Sequence, residues 1–376
     1  MENLDEPLLL TPGPLTTSST TKAAMQRDWG SRDTEFIALN ARILERLVAL
    51  AGAQESHVCV PVQGSGTFAV EATVGSLLPR DGKMLVMVNG AYGHRIAKIC
   101  RIMGRACEII ESPEDVPNDP LALDATLAAD PSISHVSVIH CETTTGILNP
   151  VAALAEVVER HGRSLLIDAM SAFGAIPLDA REVRFDALMA SSNKCIEGVP
   201  GMGYAIIRRE VIAAAAGNAH ALSLDLHDQW KAMEGNGQWR FTPPTHVLAA
   251  FDQALTEHAD EGGVAGRGAR YEANRRVLVD GMRELGFETL LPDELQAPII
   301  VTFHTPADPK FEFNRFYDLL RVSGYAIYPG KLTVADSFRI GCIGHIDQDD
   351  IKSALAAVSQ ALDEMGVVNR APAKAA

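Results

Sequence analysis

The sequence predicts an α/β fold: a mostly parallel sheet covered on both faces, followed by a smaller α/β unit. Three observations carry this. Seven short, near-continuous apolar runs alternate with helix-period segments over the first two-thirds of the chain, the pattern of strands buried on both faces. From about residue 245 a long helical region replaces that alternation. The chain has 376 residues, enough for two domains of ordinary size.

In order, the strands are expected at 57–63, 83–89, 107–111, 135–141, 164–169, 186–191 and 203–209, each rich in Val, Ile, Leu or Met. Helices are expected at 67–78, 92–103, 121–129 and 151–161. Right-handed crossovers between parallel strands then place the strand C-termini, and any ligand site, along one edge. In the region 245–284 the Gly262-Gly263 pair predicts two helices that meet. Strands at 297–304, 325–330 and 338–344 and helices at 311–322 and 347–364 form the smaller unit. The division expected is an N-terminal segment (1–20), a large domain (21–260) and a small C-terminal domain (261–376), with a tail, 369–376, that frays.

A net charge of −15 provides no basic field for nucleic acid. The six cysteines are scattered without a CxxC pair, as expected of reduced thiols in a cytoplasmic protein. The N-terminus lacks the basic and apolar regions of a signal peptide, and no apolar run approaches the ~20 residues that span a bilayer. A soluble, cytoplasmic protein without a metal site is the expectation.

Chemistry concentrates at three strand ends. "QGSGTFAVEA" (63–72) follows a strand and opens a helix. Its glycines permit close backbone approach, and the free N–H groups of the helix start attract an anion, so Gly64, Ser65, Gly66 and Thr67 suit a phosphate. Gly64–Ala69 also matches G-x-G-x-x-A, the fingerprint of a nicotinamide-dependent dehydrogenase. That reading needs an acidic residue closing the next strand, where the sequence has Val88, Asn89 and Gly90. Asp168 ends the apolar run "SLLID", and Lys194 follows 26 residues later, after the next run. Amine, carboxylate and phosphate cradle together answer to pyridoxal 5′-phosphate. Taken singly, Asp168 is equally a helix cap. Cys195, beside the lysine, reads as a packing residue rather than a nucleophile. Tyr92 in "NGAYGHR" offers a flat ring to a planar cofactor. Arg339, an isolated cation in the strand "FRIGCIG", suits a carboxylate or phosphonate, or else a structural ion pair.

The segments "LLLTPGPLTTS", "QGSGTFAVEA", "NGAYGHR", "HCETTTGILNP", "IDAMSAFG", "SSNKCIEGVPG", "WRFTPPTH", "IYPGK" and "FRIGCIG" occur in this order. Together the chain resembles the 2-aminoethylphosphonate–pyruvate aminotransferase family of class V, fold-type I PLP-dependent enzymes, from about Leu8 to residue 365. The resemblance implies a fold-type I transferase whose large domain holds a mostly parallel seven-stranded sheet. It makes Lys194 the Schiff-base lysine and Asp168 the partner of the pyridine nitrogen. Ser65, Gly66 and Thr67 would hold the phosphate with Asn193 nearby, Tyr92 would stack on the ring, and Thr143 would bond its phenolic oxygen. Thr242 would reach the phosphate from the other subunit, so a homodimer with shared sites is implied. Arg339 would bind the substrate carboxylate. Arg32 and Arg240 are weak candidates for the phosphonate. A different class V enzyme, for alanine–glyoxylate or serine–pyruvate, is the nearest alternative.

Overall fold

The computed structural model describes residues 6–330 and 333–373. Residues 1–5 of the expected N-terminal segment, Lys331 of "IYPGK" and the last residues of the tail lie outside the described residues. The strands are β1 (Leu8–Leu9), β2 (His57–Gly64), β3 (Lys83–Val88), β4 (Ala106–Glu111), β5 (Ile133–Ile139), β6 (Cys141–Glu142), β7 (Ile147–Leu148), β8 (Ser164–Asp168), β9 (Ala187–Ser191), β10 (Gly201–Arg208), β11 (Ile300–His304), β12 (Tyr325–Ala326), β13 (Tyr328–Pro329) and β14 (Ser337–Gly341). The helices are α1 (Ser19–Ala23), α2 (Thr34–Leu50), α3 (Gly66–Leu77), α4 (Ala91–Ile102), α5 (Pro120–Ala129), α6 (Val151–Arg160), α7 (Arg209–Ala214), α8 (Leu226–Asn236), α9 (Thr245–Asp260), α10 (Gly263–Glu284), α11 (Phe313–Val322) and α12 (Gln348–Met365).

The seven expected strands form one sheet in the order β2-β10-β9-β8-β5-β3-β4. All pairings are parallel except those of β10, which runs antiparallel to β2 and β9. The near-continuous apolar runs have their reason in the side-chain period of two. Leu165 and Ile167 of β8 join one core with α2, α5, α6 and α9, and Leu166 joins the other core with α3 and α4. Only edge strand β4 is half-exposed.

The Gly262-Gly263 pair does separate α9 from α10, both glycines in the left-handed region. Beyond it β11, β14 and β13 form a three-stranded antiparallel sheet against α10, α11 and α12. The expected strand 325–330 is two short pieces, because β12 turns away to pair in parallel with β1. The described part of the tail is bonded to the small unit: Ala371 O accepts from Ala307 N at 2.8 Å, and Arg370 donates to Leu285 O. Helices α2 and α8 were not expected from the sequence. No described helix is long and apolar enough to cross a membrane.

Candidate active site

The parallel pairing of β8 with β9 places Asp168 and Ser191 at adjacent strand ends. The chain leaving β9 passes Ser192 and Asn193 to Lys194, then reverses, with Glu197 N donating to Lys194 O and Gly198 N to Ser192 O. β2 ends beside them and feeds α3, so the glycine loop, the carboxylate and the amine meet. They line one cavity of about 500 Å³ with Ser65, Gly66, Thr67, Tyr92, Asn193 and Cys141.

Helix α3 presents the cavity with N–H groups of Gly66 and Thr67 that no helix turn precedes. Its N-cap Ser65 makes no side-chain bond to its own helix, so that hydroxyl is uncommitted. Gly64, at φ +128°, adopts a backbone that a side chain would strain. Thr67 Oγ1 accepts from Arg95 Nη1 at 3.3 Å. Arg95 was not singled out from the sequence. It stands three positions after Tyr92, one helical turn on, and its guanidinium lies 4.7 Å from the Tyr92 ring centroid. That spacing within "NGAYGHR" was the available signal.

Burial sets the electrostatics. Desolvation lowers the Lys194 amine to about 8, while Cys195 and Asp168 pull it back up and Arg95 lowers it further. Desolvation raises Asp168 to about 6, opposed by the Met170 N–H bond (3.0 Å), Arg95 and Lys194. Near neutral pH the amine is therefore partly unprotonated and the carboxylate largely ionised. Lys194 Nζ donates to Pro12 O at 2.9 Å. The strap that carries Pro12 is threaded from the C-terminal unit: β1 pairs with β12, and Leu10 bonds Ala326 and Gly341. A Cβ on Gly13, at φ +118°, would lie 2.7 Å from Lys194 Cδ and 2.9 Å from its Nζ.

Tyr92 is fixed at the first turn of α4 by Glu142, whose buried carboxylate accepts from Tyr92 N at 3.1 Å and from Thr144. Desolvation raises the Glu142 carboxyl. Glu142, too, went unread in "ETTTG". Thr143 is buried next to it, and its carbonyl accepts from Arg339 Nη1 at 2.8 Å. Arg339 also lies 5.9 Å from the Tyr328 ring centroid. Its Nη2 donates to Pro329 O, its buried Nε has no partner, and no ion pair with a described residue holds it. The structural ion pair considered for it is thus not found among the described residues.

Thr143 and Arg339 do not line this cavity, and three further expected residues lie elsewhere. Thr242 is exposed and borders a second hollow with Gln63, Gly64 and Phe68, on the far side of the glycine loop. Arg32 is exposed in the turn before α2. Arg240 is engaged with Leu222 O (3.0 Å), Asp228 (3.5 Å) and the Phe241 ring. The dinucleotide reading is overturned by the structure around the end of β3. Asn89, where a ribose-binding carboxylate would stand, is buried and bonded to Val116 O and Asn149. β2 is moreover an edge strand with an antiparallel neighbour, rather than the first strand of a parallel unit.

Residues 16–334 match the family model described as aminotransferase class-V. The chain belongs to the class V aminotransferase family. It is 55% identical, over 98% of its length and 100% of the relative's, to 2-aminoethylphosphonate–pyruvate transaminase of Pseudomonas fluorescens. A protein of that name from Pseudomonas aeruginosa is 55% identical, with 96% of this chain and 98% of the relative covered. Among solved structures, alanine–glyoxylate aminotransferase from Nostoc sp. superposes with a TM-score of 0.89 at 23% identity, covering 96% of this chain and 97% of that one; at that identity the likeness speaks to fold alone. The cofactor of the class V family is pyridoxal 5′-phosphate, and the cavity of this aminotransferase fits it. The uncommitted N–H groups and hydroxyl at α3 suit the phosphate. The largely ionised Asp168 suits a protonated ring nitrogen, and a Lys194 amine whose burial favours the neutral form suits the aldehyde. A buried Ser191 hydroxyl without a partner also lines the cavity.

Proposed function

We propose that this chain transfers the amino group of 2-aminoethylphosphonate to pyruvate, giving phosphonoacetaldehyde and L-alanine. The observation that carries the chemistry is the meeting of Lys194 and Asp168 in one cavity at adjacent parallel strand ends. The substrate pair follows the name borne by relatives 55% identical over the whole chain. When bound, pyridoxal phosphate supplies the carbonyl that takes the amino group and a ring that accepts electrons. Lys194 would hold the cofactor covalently, and its free amine would take the proton from the amine-bearing carbon of 2-aminoethylphosphonate in one half-reaction and deliver a proton to the carbonyl-derived carbon of pyruvate in the other; an amine titrating near 8 suits both directions. Asp168 keeps the ring nitrogen protonated. Ser65, Gly66 and Thr67, with Asn193, hold the phosphate, and Tyr92 covers the ring face.

Arg339 is the carboxylate-binding cation in this reading. Its two carbonyl contacts orient the guanidinium without neutralising it, so an arriving anion meets a desolvated positive charge. Thr143 acts at the cofactor's phenolic oxygen. The working unit is a homodimer in which Thr242 of the partner subunit completes the phosphate site; its exposure on the outer side of the glycine loop supports this. The chain divides into a large domain (21–260), a small domain (261–376) and the N-terminal segment that threads Pro12 to Lys194. Six free cysteines, five of them buried, support a reducing, cytoplasmic setting.

The deciding experiment is the half-reaction. Added 2-aminoethylphosphonate should bleach the visible absorbance of the lysine-bound cofactor, and pyruvate should restore it. A band that persists at high 2-aminoethylphosphonate but bleaches with alanine or serine would transfer the protein to another class V activity.

A further inference from the structure

The turn that carries Lys194 is gripped from outside the cavity. Among the described residues, Glu197 is the one non-glycine with φ in the left-handed region, at +62°. Glycine or asparagine would take that conformation with less strain. What glycine lacks is the carboxylate, and here it is buried and engaged through Oε1. Glu197 Oε1 accepts from the Tyr271 hydroxyl at 2.5 Å and from Arg270 Nη2 at 2.8 Å. The same helix, α10, also grips the backbone: Arg267 Nη1 donates to Cys195 O at 2.6 Å, and the Tyr271 hydroxyl lies 3.2 Å from that oxygen.

The other contacts of this group say what the grip is tied to. Arg267 and Arg270 both bond Glu261, at the end of α9, at 2.6 and 2.7 Å. Arg270 Nη1 donates to Gly344 O and Ile346 O, just beyond the strand that bears Arg339. One helix thus fastens the lysine turn, the end of a large-sheet helix and the small sheet together. Buried ion networks of this kind are poor sources of stability, because desolvation offsets their Coulomb attraction. Their retention is better explained by the geometry they specify.

We propose that Glu197, Tyr271 and Arg270 are positioning residues for Lys194, fixing the Lys194–Glu197 turn so that the amine meets the cofactor and substrate carbons in register. The proposal rests on the reading of Lys194 as the cofactor-bearing residue. None of the three touches the cavity, and each acts through the turn's backbone.

The test uses the holoenzyme and the variants Tyr271→Phe, Glu197→Ala and Glu197→Gln, with Arg276→Ala, an exposed ion-pair residue on the same helix, as control. Tyr271→Phe and Glu197→Ala should lower kcat by about tenfold or more, with little change in KM, as expected of a small misplacement of a reacting group. The visible circular dichroism of the bound cofactor should change in both. Glu197→Gln, which keeps an acceptor for Tyr271, should recover most of the kcat and the dichroism, and Arg276→Ala should match wild type. Wild-type kcat and dichroism in Tyr271→Phe and Glu197→Ala would overturn the proposal. So would activity losses that follow only a lowered unfolding temperature, with unaltered dichroism. Borohydride reduction and peptide mass analysis of the wild-type protein separate the two readings. Cofactor fixed on a residue other than Lys194 removes the Lys194 assignment and the proposal with it, whereas cofactor on Lys194 with silent variants removes the proposal alone.

Discussion

At the scale of the residue, the site carries charges that folding disfavours. Asp168 titrates at about 6 in the folded chain against 3.8 unperturbed, chiefly through desolvation. Below pH 4 the carboxyl is protonated in both states and has no effect. Between about 4 and 6 the folded state holds more protons, so stability falls as pH rises, and above 6 the whole cost is present. Asp168→Asn keeps an acceptor for Met170 N and removes that cost. In urea unfolding of the cofactor-free protein at pH 7 it should be more stable by about 1–3 kcal/mol, the difference fading toward pH 4. Transamination should fall by at least two orders of magnitude, since the ring nitrogen loses its anion. Equal or lower stability at pH 7 would show that desolvation does not govern Asp168. Gly13 is the second case at this scale. A methyl group there meets the Lys194 side chain and the Asn193 carbonyl, and φ +118° already excludes most side chains. Gly13→Ala should slow formation of the lysine–cofactor linkage in reconstitution experiments by about tenfold or more. Linkage at the wild-type rate would mean that the strap yields.

At the scale of the element, strand ends were readable because burial on both faces forces apolar runs that stop where the sheet stops. Asp168 and Lys194 announced themselves by ending such runs, and the parallel pairing of β8 with β9 did the rest. Three things were not readable. Which strand runs antiparallel depends on connections that leave no mark on side-chain pattern, so β10 looked like its neighbours. Glu142 and Arg95 act through backbone N–H groups and one helical turn, and a charged residue in a short motif does not declare its partner. The strap to Pro12 joins residues 182 apart through a carbonyl, which no residue identity encodes. Arg339 is the element-scale prediction. Strand β14 presents it between Thr143 O and Pro329 O, which a planar fork can bridge and a lysine cannot. Arg339→Lys should raise KM for pyruvate by about tenfold or more, the loss of a bidentate charge-assisted contact, while the cofactor's absorbance stays in place. An unchanged pyruvate dependence removes Arg339 from the substrate site.

At the scale of the whole molecule, the glycine loop has two sides. Its inner side faces the cavity of Lys194. Its outer side borders a hollow with Phe68, Phe241 and Thr242, where Phe68 and Phe241 stand about half exposed at 49% and 50%. Aromatic rings left to water beside a ligand-binding loop suit a surface that a second subunit covers. If Thr242 of the partner subunit completes each phosphate site, defects in Lys194 and Thr242 lie on opposite sides of every site. In a hybrid of Lys194→Ala and Thr242→Ala chains, one site collects both defects and the other neither. Each variant alone should be nearly inactive or weak in binding cofactor. Mixing them under conditions that allow subunit exchange should restore about a quarter of the wild-type activity, since half of a random mixture is hybrid and half of its sites are intact. Activity that stays at the sum of the two parents after exchange, shown by mass to have occurred, would place each site wholly within one chain.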